Sequence, residues 1–265
     1  MTSSAETVGT PSAHSPRWQS VGVANTDALV KARLELVNLV QWLARIANSY
    51  VPAATPEARV VLEFRSVDAA FVTKTFCDNL SLELRLPTLE MQFHESGKAV
   101  PHIFNPEERS PAEVEAWLLV ELLHRGVDRT KFSKKLPYKM FGLMTGDAED
   151  HSPQSCQQGL MQLTAWFRNG AMVLDAVARA SGAEPAGIVC WPQTLNLSAV
   201  TGSVESGSGF SPGDTQTGEP YFYRNVKPGN GSAAKSGSIL TASALLAEKD
   251  PAAAAIAFMK SATTG

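Results

Sequence analysis

The chain has 265 residues, 44% apolar and 18% charged, and its 23 basic against 26 acidic side chains leave a net charge of −3. That length holds one large domain or two small ones with ample material for a core. The near-neutral balance argues against a chain built to wrap nucleic acid or to coat an anionic membrane.

No apolar run approaches the roughly 18 residues that a membrane span needs, and Met1 to Ser20 lacks the apolar stretch of a signal peptide. The three cysteines, Cys77, Cys156 and Cys190, are an odd number at wide spacing, which is neither a disulfide framework nor a metal knuckle. A soluble cytoplasmic protein without cofactor or metal is expected. Residues 1–24 mix small polar residues with Pro11 and Pro16 and are expected to be a disordered tail, with Trp18 and Val21 available to dock. Residues 25–265 are expected to form a single domain.

From Asp27 to Ser49 the apolar residues Leu29, Leu36, Val40, Leu43 and Ala47 draw one helical stripe, which Pro52 stops. The period then shortens, and Val60–Phe64, Ala70–Phe76, Leu80–Leu86 and Leu89–Phe93 read as strands of an antiparallel meander punctuated by Asp78-Asn79, Pro87 and Gly97. His102–Phe104 adds a short strand. Ser110-Pro111-Ala112-Glu113 is a helix start in which Ser caps and Glu reaches back to the cap, and Gly126 is its left-handed stop. Ser152-Pro153 opens a second long helix that Ser181-Gly182 ends. Gly159 and Gly170 inside it each weaken it by up to ~1 kcal/mol, which marks close packing or a break. Strands at Ile188–Trp191, Leu195–Val200 and Tyr221–Val226, then a helix from Asp250-Pro251 to Ser261, complete an α+β chain: an antiparallel sheet with interspersed helices.

Three C-terminal stretches carry a resemblance. Cys190-Trp191-Pro192-Gln193-Thr194-Leu195-Asn196-Leu197-Ser198, Gly209-Phe210-Ser211-Pro212-Gly213-Asp214 and Glu219-Pro220-Tyr221-Phe222-Tyr223 resemble the W-P-H-H-F-D-x-A, G-x-S-P-G-D and E-P-Y-x-Y motifs of a bacterial family of unestablished activity. The order of elements across about residues 27–262 is similar too. The resemblance implies a fold and a site location rather than a reaction. Where that family has two histidines and an aspartate, this chain has Gln193, Thr194 and Asn196, which hydrogen-bond well but ligate transition metals poorly. Asp214 and Glu219 match.

Other chemical motifs fail on inspection. Gly209-Phe210-Ser211-Pro212-Gly213 fits the nucleophile elbow, but the residue after the serine must offer an oxyanion-hole N–H and Pro212 has none. It reads better as a tight turn. Gly229 to Ser236 lacks the glycine that a phosphate loop places before its lysine, since Ala234 stands there. Asp147, Glu149, Asp150 and His151 could form an oxygen-rich cation site, but carboxylates before a helix start already have a reason in the helix dipole. Lys131, Lys134, Lys135 and Lys139 among Phe132, Tyr138 and Phe141 could touch nucleic acid, yet acidic residues follow at once, and a solvated loop is the simpler reading. His94, His102 and His124, taken singly, read as structural.

Alternation along a strand puts Glu219, Tyr221 and Tyr223 on one face. With Trp191, Asn196 and Asp214 these residues are the candidate ligand-binding set. The expected function is a non-catalytic binding or accessory protein with a polar pocket for a small polar ligand. The alternative is a small-molecule enzyme with Asp214 or Glu219 as general base. A third option is an assembly subunit tethered to a protein partner by its tail.

Overall fold

The computed structural model describes residues 17–22, 26–182, 187–200, 207–224 and 238–261. The chain is α+β, with six α-helices and a ten-stranded antiparallel sheet among these residues. The N-terminal part runs α1 (Thr26–Tyr50), α2 (Pro56–Val60), then the strands β1 (Leu62–Arg65), β2 (Ala70–Val72), β3 (Leu80–Arg85), β4 (Met91–Glu95) and β5 (Lys98–Phe104). The helices α3 (Pro111–His124) and α4 (Gln157–Ala180) follow. The C-terminal part has β6 (Ile188–Trp191), β7 (Asn196–Ala199), β8 (Gly209–Ser211), β9 (Tyr221–Arg224) and β10 (Ser238–Thr241), then α5 (Ala242–Leu246) and α6 (Pro251–Lys260).

The sheet order, β10-β9-β8-β7-β6-β1-β2-β3-β4-β5, is two meanders joined where β6 pairs with β1. Register makes one face continuously apolar. Phe222, Phe210, Leu197, Cys190 and Leu62 stand opposite one another across successive strands, and Phe64, Phe71, Leu84 and Met91 do the same in the first meander. The long helices close this face. Phe167 of α4 meets Phe64, Phe71 and Phe210 at ring separations of 5.9, 5.3 and 5.8 Å, so a single side chain touches both meanders.

Both glycines of α4 mark close packing. A Cβ at Gly159 would run into the Ala28 carbonyl and lie 2.9 Å from the Ala32 Cβ of α1, and one at Gly170 would lie 2.6 Å from the Phe210 ring. The Ser110 capping box forms as read, with Glu113 N–H donating to Ser110 Oγ at 3.3 Å and Ser110 N–H to Glu113 Oε2 at 2.9 Å. Gly126 takes φ +66° after α3. Trp18 docks edge-on against Trp166 at 5.9 Å, and Asn169 grips the Gln19 backbone through both its amide atoms. Residues 1–16, 23 and 24 of the expected tail lie outside the described residues.

Several elements differ from the sequence reading. Val60 ends a short helix capped by Thr55 instead of starting a strand. The strand expected at His102–Phe104 begins at Lys98 and tolerates Pro101 because β5 is an edge strand with one free hydrogen-bonding side. β8 and β10 were not anticipated. Each is three or four residues long, too short to show a period of its own.

Phe167→Ala is expected to lower stability by about 3–5 kcal/mol, the usual cost of removing a buried phenyl ring. Urea unfolding measures it, and a loss within about 0.5 kcal/mol would show that the meanders do not depend on this ring.

Candidate functional site

The outer face of the second meander carries the side chains that alternate with the core row: Trp191, Asn196, Ser198, Ser211, Tyr221 and Tyr223. Small residues make room for large ones. Gly209 stands opposite Tyr223, and a Cβ there would lie 2.5 Å from the Tyr223 hydroxyl, so the phenol lies directly over the bare strand. From there Tyr223 hydrogen-bonds to Asn196. Trp191 Nε1 donates to Ser198 Oγ at 2.9 Å, and the Tyr221 and Tyr223 rings meet edge-to-face at 6.2 Å. Burial pushes the Tyr223 phenol far above its ordinary range and the Tyr221 phenol up to about 12, so both stay protonated at any physiological pH.

Asp214 lies at the end of this face. Its Oδ1 accepts the backbone N–H groups of Gln216 and Thr217 at 2.7 Å each, and its Oδ2 accepts the Tyr221 hydroxyl at 2.7 Å. Burial works to raise its pKa. The Thr217 N–H, the Tyr221 hydroxyl, the Gln216 N–H and the Arg33 charge outweigh it and hold the carboxyl below its usual range. At the Ser-Pro-Gly-Asp segment the chain bends, with Gly213 at φ +101°, Gly213 N–H donating to Ser211 Oγ at 3.2 Å, and Asp214 N–H bonding forward to the Thr217 carbonyl at 2.8 Å. Ser211, the serine of the elbow motif, is 1% exposed and is spent within this bend.

Arg33 was missed by the sequence reading. From α1 it donates to the carbonyls of Pro212 and Gly218 at 3.2 Å each, clamping the turn to the helix. Burial lowers its pKa, opposed by Asp214 and Tyr221. No local signal could have flagged it, because its partners lie about 180 residues away in sequence.

Glu219 has a different employment. Its Oε2 accepts the Ser243 N–H at 2.7 Å and its Oε1 the Ser243 hydroxyl at 2.8 Å, so it caps the first turn of α5. The fold therefore brings Trp191, Asn196, Asp214, Tyr221 and Tyr223 onto one face, while the Glu219 carboxylate is turned to the α5 cap.

The remaining chemical candidates resolve into structure. Asp147 accepts the Ser110 hydroxyl at 3.0 Å, whereas His151, with a fully buried side chain, turns away to Glu35 Oε2 at 3.1 Å, so the acidic cluster before α4 does not assemble. Glu35 and Glu107 accept the Ser152 and Gln154 N–H groups at 3.4 and 2.9 Å, doing the capping that the Ser152 side chain does not. The lysine-rich loop is a strap along α1. Lys134 and Lys135 carbonyls accept Arg45 and Asn48, and the Tyr138 hydroxyl donates to Gln41 at 2.7 Å. Residues 229–236, with their phosphate-loop likeness, lie outside the described residues. Burial pushes the Cys156 thiol up to about 11 and Cys190 well above its ordinary range, so neither offers a thiolate nucleophile. No helix among the described residues is long and apolar enough to cross a membrane. No protein-family model, curated protein or solved structure matches the chain.

Asp214→Ala is expected to cost about 1–3 kcal/mol at neutral pH by stripping the turn's donors of their acceptor. Because the folded carboxyl titrates below its unfolded value of about 3.9, this contribution is complete above that pH and is lost as acid takes the solution through the lower folded value. Urea midpoints of both proteins should therefore converge as the pH falls through the folded carboxyl's lowered value. A penalty unchanged by acid would remove the carboxylate from the account.

Proposed function

We propose that this chain is a non-catalytic ligand-binding or accessory protein, and that the half-buried face formed by Trp191, Asn196, Tyr221 and Tyr223 receives a small polar ligand. One observation carries the reading: Asp214 is ionised, held low and already accepting three hydrogen bonds. A general base works best with a pKa near the working pH, whereas this carboxyl is held below its usual range and three of its roughly four acceptor sites are already filled. Glu219 has both oxygens engaged by Ser243. What the face offers instead is neutral: two protonated phenols, an amide and an indole, groups that orient a polar molecule without transferring its protons. The degenerate Gln193-Thr194-Asn196 stretch supports the same reading, since neutral side chains stand where the resembled motif has imidazoles and a carboxylate. Three free cysteines accord with a cytoplasmic location.

Native mass spectrometry of the full chain purified from its own lysate tests this. The expected result is a small polar molecule retained by the parent protein and lost from Asn196→Ala and Tyr223→Phe, with melting temperatures close to the parent's. Turnover of a small molecule that Asp214→Asn abolishes without lowering the melting temperature would overturn the reading in favour of a general base.

A further inference from the structure

At the opposite edge of the sheet, three side chains that the sequence reading treated singly come together. Glu121 and His124, one turn apart on α3, share a side of that helix, and His102 of β5 lies against them. The elements meet there because Trp117 of α3 packs on Phe93 and Phe104 at ring separations of 5.5 and 5.1 Å. The Glu121 side chain is 3% exposed and rigidly held: Arg125, itself stacked 5.1 Å from the Phe93 ring, donates to Glu121 Oε2 and to the Glu121 carbonyl at 2.7 Å each. That engages one carboxylate oxygen and leaves Oε1 facing both imidazoles, with His102 Nδ1 at 3.1 Å and His124 Nδ1 at 3.9 Å. One ligand atom from each of the three residues lies within 4.8 Å of the others.

We propose that His102, Glu121 and His124 bind one divalent transition-metal ion of the zinc type. A tetrahedral ion with bonds of ~2.0–2.1 Å holds its ligand atoms about 3.3 Å apart, and the separations of 3.1 and 3.9 Å to Oε1 straddle that spacing. Two imidazole nitrogens and a carboxylate oxygen are a donor set for zinc and its neighbours, whereas calcium and magnesium take oxygen ligands. Arg125 is the outer partner that fixes the carboxylate for one-oxygen binding, the arrangement that tunes ligands at known metal sites. The His102 and His124 side chains are 62% and 56% exposed, so the fourth position opens to solvent, as in sites where the ion meets water or an incoming ligand and unlike closed structural sites. A bound ion also fastens the edge strand β5 to α3. Nothing in this site overlaps the face proposed for the polar ligand, so either proposal can fail alone.

Isothermal titration of the chelator-treated full chain with zinc chloride decides the matter, with Co²⁺ absorption as a second readout of coordination geometry. The expected result is one equivalent bound, with affinity reduced at least about tenfold in His102→Ala and in His124→Ala and absent in the double variant. Both histidines are exposed, so these variants should keep the parent's circular dichroism and metal-free melting temperature. The proposal is overturned if the parent binds no equivalent, or if the folded double variant binds one as tightly as the parent.

Discussion

The fold depends on a single aromatic contact zone. Phe167 of α4 reaches Phe64 and Phe71 in one meander and Phe210 in the other, and Phe210 passes the contact on to Phe222 at 5.3 Å. Within the sheet itself the two halves are joined by the short β1–β6 pairing, Leu62 with Cys190 and Glu63 with Val189. Edge-to-face packing of rings adds directional preference to the non-directional burial of apolar area. It therefore sets where α4 lies on the sheet. The bare backbone at Gly170 lets the helix come close enough for Phe210 to fit beneath it.

Committing one face to this core leaves the other to polar side chains, and the second meander uses that freedom differently from the first. In the first, Arg85 bridges Glu83 and Gln92 at 3.0 and 2.6 Å. In the second, small residues at Gly209, Ser198 and Ser211 alternate with aromatic neighbours, so that phenol and indole rings lie over the strands. The first surface is dominated by charged groups, while the second carries neutral ones: Trp191 bonded to Ser198, Tyr223 to Asn196, and the Tyr221 hydroxyl to Asp214.

Several of the described carboxylates terminate backbone. Asp214 closes a turn, Glu219 caps α5, Glu113 completes a capping box, and Glu35 with Glu107 supplies the start of the α4 segment. The reason is common to all of them: orphan N–H groups at turns and helix starts are best satisfied by an ionised acceptor. At Asp214 and Glu113 such hydrogen bonds hold the carboxyl below its usual range, which is the opposite of what proton transfer at neutral pH requires. Glu121 differs because its partner, Arg125, occupies one oxygen and leaves the other beside two imidazoles.

What the sequence determined by itself is local. The stripe of Leu29, Leu36, Val40 and Leu43, the Ser110 box and the Gly126 stop all form as read, because each rests on interactions within a few residues. Alternation likewise put Tyr221 and Tyr223 on one face. Only the tertiary structure decided what those side chains meet. It set Arg33 against a turn about 180 residues downstream, turned His151 to Glu35, sent Glu219 to Ser243, and brought His102 to the Glu121–His124 pair. These meetings depend on strand order and on helix placement over the sheet. Both follow from summed, non-directional burial over the whole core, and no short stretch of the chain encodes that sum.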